Sequence, residues 1–339
     1  MVFGIEDASR RVAGAILPRL DFTQPVLKAL KGSSVQRIEP LTAFRACMKL
    51  IKSRRSALLV AEPGSKQMLG LVTERDFVTK MGMESGAVTR TLVTDLMTPA
   101  AALHTAPASY TLMECARLMA KERVRHLPVV EEEEVRAVLS MREISQHISH
   151  MLSRRDVAEA NVSIGDMLSA IRTPGLAASL PVTATVADAV EQMRATSFGA
   201  LLVLGGDGFG IFTERDYVHN VLPCCAAEEQ SAAHVSLRKA ARWATDEVGY
   251  SRRMMEAVAE DPSVADYYWP DTITCVERAT PVRDCLRLML GNGLLYVPVI
   301  DESDRPVDVI SMRDVNLFMA QEGLSVEGEE GDGAEVASA

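Results

Sequence analysis

The chain has 339 residues, of which 24% are charged and 47% hydrophobic, and its formal net charge is −10 at pH 7. That length predicts two domains of ordinary size with ample core. An acidic chain with no basic stripe interleaved with aromatics is a poor nucleic-acid binder, and no apolar run approaches the roughly 18 residues of a membrane span.

Residues 1–24 read as an N-terminal segment in which Ile5 to Leu17 has the pattern of an amphipathic helix stopped by Pro18. Arg10, Arg11 and Arg19 fit a mitochondrial presequence, whereas Glu6 and Asp7 oppose one. Import is therefore left open. Val26 to Leu30 and Val162 to Leu168 are short entry helices, each preceding a module.

Four helices are predicted from apolar residues at helical spacing: Phe44, Met48 and Ile51; Leu112, Ala116 and Met119; Val186, Val190 and Met193; Val282, Leu286 and Met289. Behind each come two β runs split by a polar turn: Ala57 to Ala61 then Met68 to Val72; Leu127 to Val130 then Val135 to Leu139; Ala200 to Leu204 then Phe209 to Phe212; Tyr296 to Ile300 then Val307 to Ile310. Each second run ends in a Thr or Ser that opens a further helix. The stretch Gly70-Leu71-Val72-Thr73-Glu74-Arg75-Asp76 returns 140 residues later as Gly210-Ile211-Phe212-Thr213-Glu214-Arg215-Asp216. Looser copies stand at Ser140-Met141-Arg142-Glu143 and Ser311-Met312-Arg313-Asp314. From the first helical apolar residue to the Thr or Ser the distances are 29, 28, 27 and 29 residues. The chain is a repeat protein. Its predicted class is α/β, with four units in the order A, B, A′, B′, each helix, strand, strand, helix. A unit of about 60 residues is small for a core of its own, so units should pair.

The pairs define a first module at 25–155 and a second at 160–322. Val93-Thr94-Asp95 links repeats 1 and 2, and Val264-Ala265-Asp266 is its expected counterpart between repeats 3 and 4. Asp76 to Val93 spans 17 residues and Asp216 to Val264 spans 48, which places a helical insertion within Pro223 to Pro262, at about 224–260. Trp243 and a methionine-rich stripe there read as core against their own module, with a partner-docking arm as the competing reading. The Gly-rich tail at 323–339 is expected to be disordered; Glu322, Glu327, Glu329, Glu330, Asp332 and Glu335 give residues 321–339 six acids and no Lys or Arg.

Cys47, Cys115 and Cys285 take one position in the repeated helix and read as core residues. The cysteine pattern suits a reducing intracellular compartment, cytoplasm or organelle matrix. His147 and His150 share a helix face without a partner set for metal, so they read as a solvated face.

The Thr/Ser-x-x-acid motif supports two readings. A strand running into a helix presents a hydroxyl and free N–H groups at the helix start, which attract phosphate, and an Asp three residues on can accept from ribose hydroxyls. Gly70 and Gly210 would let a ligand approach the backbone. The same spacing is also a capping box, a structural helix start. Capping boxes favour Glu or Gln, whereas Asp76, Asp216 and Asp314 are shorter. Arg75, Arg142, Arg215 and Arg313 stand where a cation opposes the helix dipole, which calls for an anion nearby, either a phosphate or a neighbouring carboxylate.

Gly70, Thr73 and Asp76, with Arg125-His126-Leu127-Pro128-Val129-Val130 and Val297-Pro298-Val299-Ile300, make the chain resemble the CBS-domain family from about Val26 to Ala320, with two tandem pairs (Bateman modules). The first module also resembles the small stand-alone CBS-pair proteins of plant organelles. The resemblance implies an adenosine ligand between paired sheets, with phosphate at Thr73, Ser140, Thr213 and Ser311 and ribose at Asp76, Asp216 and Asp314. Repeat 2 departs with Glu143 for the acid and Ala137 for the glycine, and repeat 4 has Asp308 at the glycine position. Arg54, Arg55, Arg123, Arg125 and His126, read as cations, lie where relatives bind phosphate, whereas the second module has Phe198-Gly199 and Leu294-Leu295-Tyr296 there.

The function so implied is a non-catalytic sensor of AMP, ADP, ATP or S-adenosylmethionine that acts on an unidentified partner protein in trans, with no prosthetic group and no metal. Anionic nucleotides should favour the first module. The alternative is an assembly subunit with degenerate pockets. Modules would stack within one chain or between two chains of a homodimer. No nucleophile, base and orienting acid gather on the repeated scaffold, which argues against an enzyme.

Overall fold

A computed structural model describes residues 24–30, 35–65, 67–153, 162–171, 178–205, 208–227, 231–243 and 273–318. The expected N-terminal helix, the C-terminal tail and much of the expected insertion lie outside the described residues.

The four lead helices are Ala43–Ser53, Leu112–Lys121, Val186–Thr196 and Val282–Gly291. Each is followed by an antiparallel hairpin: Ala57–Ala61 with Met68–Thr73, His126–Glu131 with Glu134–Ser140, Ala200–Gly205 with Gly208–Thr213, and Tyr296–Ile300 with Pro306–Ser311. A short strand runs parallel to the first arm of every hairpin. The α/β repeat architecture expected from the sequence is the one observed.

The first lead helix is phased one residue away from the sequence reading. Its buried positions are Ala43, Ala46, Cys47, Leu50 and Ile51, while Phe44 and Met48 only pack on the edge. Thr42 and Thr185 occupy matching bridges, to Leu92 and Ser236, so Ala43 matches Val186 and Cys47 matches Val190. Cys115 and Cys285 therefore share a position that Ala46 fills in repeat 1, and Cys47 lies one residue beyond it. Hydrophobicity favoured the larger Phe44 and Met48, but small side chains are needed where this helix approaches repeat 3. There the Cys47 thiol donates to the Val218 carbonyl at 2.8 Å.

Two kinds of packing assemble the repeats. Within each pair the sheets face one another: Leu59 and Leu71 meet Val135 in the first, and Ala200, Leu202, Phe209 and Ile211 meet Tyr296 and Val309 in the second. Across pairs the helices join. Repeat 1 shares one buried cluster with repeat 3, and repeat 2 shares another with repeat 4. Polar links reinforce this stacking within the chain. Arg194 of repeat 3 donates to the carbonyls of Val78 and Met81 at 2.7 and 2.9 Å, satisfying the open end of the helix Glu74–Lys80. Asn316 of repeat 4 bonds Ser145 and the Met141 carbonyl of repeat 2, each at 2.8 Å.

The linker correspondence needs correction. The helix Val93–Leu96 leads to the strand Thr98–Pro99, which pairs with Met68–Thr73. In the second module Leu237–Ala240 leads to Arg242–Trp243, which pairs with Gly208–Thr213 in the same register. Leu237 therefore occupies the structural place of Val93, and Val264-Ala265-Asp266 lies outside the described residues. Asp216 to Leu237 is 21 residues, against 17 in repeat 1, so most of the added length follows Trp243, in residues 244–272.

Candidate functional site

The Thr/Ser-x-x-acid motif forms a capping box at each second-helix start. The second carboxylate oxygen of Asp76 accepts from the Thr73 backbone N–H at 2.8 Å and from its hydroxyl at 2.7 Å. Asp216 holds Thr213 at 2.9 and 2.6 Å, and Asp314 holds Ser311 at 2.7 and 2.8 Å. Glu143 closes the same ring on Ser140. The Asp76, Asp216 and Asp314 carboxylates are buried, and Lys80 reaches the other oxygen of Asp76 at 2.8 Å. The shorter Asp thus closes the box as well as Glu does.

Gly70 has a packing role. A Cβ there would sit 2.4 Å from the Thr98 carbonyl oxygen and 2.7 Å from the Met97 sulfur, so the glycine lets the strand at 98–99 approach. Gly210 pairs with Trp243 at the matching place. The expectation that these glycines face a ligand is not what these contacts describe.

The arginines sort into two groups. At the centre, Arg75 donates to Glu214 at 2.9 Å and Arg215 to Glu74 at 3.0 Å, a reciprocal exchange between modules. Arg125 grips Glu214 with two nitrogens at 2.8 and 2.9 Å and donates to the Tyr296 hydroxyl at 3.0 Å. The anion beside Arg75, Arg125 and Arg215 is thus a neighbouring carboxylate, and Arg125 does not pair with the acidic turn at 131–134. His219 lies 3.1 Å from Glu74. Burial would raise the Glu74 carboxyl, but the charge of Arg215 and then the hydrogen bond and charge of His219 hold it at about 2. Burial likewise opposes ionisation of Glu214, and Arg125 and Arg75 overcome it and lower its pKa. Arg313 is half-buried; burial, then the charges of Arg125 and Arg75, pull its pKa down.

The second group lines an open cleft between repeats 1 and 2, about 390 Å³ in volume. Val35, Gln36 and the run Ser53-Arg54-Arg55-Ser56-Ala57 form the repeat 1 wall; His126, Val138, Ser140, Arg142, Glu143 and Gln146 form the repeat 2 wall; Arg215 enters from repeat 3. Arg54 is aimed by a left-handed backbone (φ 52°) that ends the lead helix. Burial, and after it the Arg215 charge, hold Arg142 below its usual range. His126 does not add a cation: burial and then Arg125 push it down to about 4, leaving a neutral ring whose Nε2 bonds the Ser56 hydroxyl at 2.7 Å. Reading His126 as a charge is corrected accordingly.

The second module contrasts with this. Around Thr213, Arg215 and Asp216, lined on the other side by Gly293 to Tyr296, only about 10 Å³ remains, room for about one water. Ser311 and Asp314 are also buried. Of the residues singled out from sequence, the cleft brings together Arg54, Arg55, His126, Ser140, Arg142, Glu143 and Arg215, while Thr73, Asp76, Arg75, Arg125, Ser311, Arg313 and Asp314 are not among those lining it. Gln36, Ser53, Ser56 and Gln146 were missed; nothing in their local pattern marks them, since they meet only when two repeats pair. Among the described residues no group of three or more His, Cys, Asp or Glu side chains could hold a metal, and no helix is long and apolar enough to cross a membrane.

The CBS domain family model matches residues 93–150, 175–222 and 264–320, and the unmatched repeat 1 has the same lead helix and hairpin. Repeats 2, 3 and 4 of the chain are thus matched as CBS domains. CBS domains are, as a class, regulatory nucleotide-binding modules. Among its relatives in Arabidopsis thaliana, the mitochondrial CBS domain-containing protein CBSX3 is 28% identical over 36% of this chain and 60% of that protein. The protein CBSCBSPB3 is 24% identical over 87% of this chain and 53% of that protein. The chain thus spans about half to three-fifths of these relatives. A solved Methanocaldococcus jannaschii structure, described as a proposed archaeal homolog of g-AMPK, superposes with a TM-score of 0.65 at 17% identity, covering 86% of this chain and 99% of that one. It shares the fold.

Proposed function

We propose that the chain is a non-catalytic regulatory protein that takes a phosphate-bearing adenosine nucleotide, AMP, ADP or ATP, into the cleft between repeats 1 and 2 and thereby alters a partner protein in trans. The observation that carries this reading is the meeting of Arg54, Arg55, Arg142 and Arg215 on one open cleft of about 390 Å³. A polyanion entering a cleft loses hydration, and charge-assisted donors offset that loss. Ser56, Ser140 and neutral His126 add donors without charge.

The second module favours a different use. With about 10 Å³ left around Thr213 and Asp216, it stays empty or opens for a ligand of little negative charge, S-adenosylmethionine or adenosine. The small pocket and the completed capping boxes also support the assembly-subunit reading for that half. Calorimetric titration of the full chain with ATP, ADP, AMP and S-adenosylmethionine separates the readings: saturable ATP binding supports the sensor, and no heat with any of the four supports the assembly subunit.

A further inference from the structure

Arg215 belongs to repeat 3 yet lines the cleft between repeats 1 and 2. Its Nε donates to Glu74 of repeat 1 at 3.0 Å and its Nη1 to the Gly293 carbonyl of repeat 4 at 3.1 Å, which fixes the guanidinium at the boundary between the modules. Arg142 of repeat 2 reaches the same glycine: a Cβ at Gly293 would lie 3.6 Å from its Nη2. Two guanidinium groups, one from each module, therefore face one cleft. Like charges gathered in a partly buried place oppose the docking that brings them together. Around Glu214 the chain meets the same problem internally, because that carboxylate of the second module takes both Arg75 and Arg125 of the first. Glu74 takes Arg215 but not Arg142.

We propose that a nucleotide in this cleft bridges the two modules: its phosphates stand between Arg142 of repeat 2 and Arg215 of repeat 3, are attracted by both, and so tighten the docking of one module on the other. The inference rests on the nucleotide reading of the cleft and adds what binding does to the protein. A ligand shifts an equilibrium only by its differential affinity for the two states. Arg215 stands at the cleft only while the modules are docked, so the docked state offers phosphate one more charge-assisted donor than the parted state. By linkage, whatever Arg215 adds to affinity returns as resistance to parting. Cys47 reports that resistance. Its thiol is fully buried between repeats 1 and 3, where it donates to the Val218 carbonyl at 2.8 Å, and burial, then the Glu74 charge, raises its pKa. The thiolate is the reacting form, so an alkylating reagent takes Cys47 only when the interface opens.

The test follows alkylation of Cys47 by iodoacetamide in native full-length protein, read by peptide mass spectrometry, with ATP added at fixed ionic strength and its saturation measured by calorimetry. In the wild type, saturating ATP should slow Cys47 labelling by about tenfold, which is ~1.4 kcal/mol. The double variant Glu74→Gln with Arg215→Gln exchanges the ion pair for a neutral amide pair and leaves no buried charge orphaned. It should still bind ATP through Arg54, Arg55 and Arg142, but at equal saturation ATP should slow its Cys47 labelling by less than about threefold. Arg142→Gln removes the repulsion with no ligand present, so without ATP it should label at least about twofold more slowly than wild type. Wild type that binds ATP with an unchanged Cys47 rate overturns the proposal and leaves the nucleotide reading standing. Equal slowing in wild type and the double variant overturns it too, because protection would then be general stabilisation by a bound ligand. Labelling of ligand-free Arg142→Gln as fast as wild type contradicts the repulsion on which the bridge is built. Absence of ATP binding to the wild type removes the nucleotide reading and this inference together.

Discussion

Arg215 on repeat 3 donates from Nε to the Glu74 carboxylate of repeat 1 at 3.0 Å, and Arg75 returns the contact to Glu214 at 2.9 Å. The two copies of one motif thus bind the modules to each other through their own Glu and Arg. Glu74 and Glu214 are 4% and 3% exposed, so removing a partner leaves a buried charge uncompensated. Arg215→Ala should destabilise the protein by about 2–4 kcal/mol, somewhat less than a fully orphaned buried charge because His219 remains beside Glu74. Urea unfolding checks this, and a loss below about 0.5 kcal/mol, the range of surface changes, would show the pair to be dispensable.

Acid should act on the structure in two stages. His126 has a folded pKa of about 4 against an ordinary 6.5, so between those values the unfolded chain binds the proton and the folded chain does not. Stability is full above about pH 6.5 and falls as pH drops toward 4, by about 2 kcal/mol once the water of the cleft is allowed for. His126→Gln should flatten that part of the stability profile; an unchanged slope from pH 6.5 to 4 would contradict the buried neutral histidine. Glu74, at about 2 against 4.5, contributes stability above pH 4.5 that is lost as pH falls toward 2. Glu74→Gln should remove that lower stage alone.

Gly70→Ala should cost about 1–3 kcal/mol by overpacking, because the new methyl would meet the Thr98 carbonyl and the Met97 sulfur at 2.4 and 2.7 Å. Thermal unfolding measures it. A neutral outcome would mean that the 98–99 strand yields easily, and would reopen the ligand-approach explanation for this glycine.

The repeat architecture was legible because each unit repeats a long apolar period followed by two β runs, and those patterns are local. The phase of the first helix was not, since burial of Ala43 and Ala46 is imposed by repeat 3, roughly 170 residues away. For Arg75 and Arg215 the motif announced an anion without saying whether it was phosphate or carboxylate; Glu74 and Glu214 stand one residue before them and act only across the module interface. Arg54 and Arg55 were visible as cations near a strand start. Arg215's entry into the cleft of the other module was invisible, because it depends on which modules stack.

The central claim is that the cleft between repeats 1 and 2 binds the nucleotide and the pocket at Thr213 does not. Its most direct test is calorimetric titration of ATP into the full chain, the Arg142→Ala variant and the Asp216→Asn variant, whose amide oxygen still accepts from the Thr213 N–H. Loss of one charge-assisted contact should weaken ATP by about 1.5–3 kcal/mol in Arg142→Ala, with Asp216→Asn indistinguishable from wild type. ATP affinity that survives Arg142→Ala and collapses in Asp216→Asn would contradict the account.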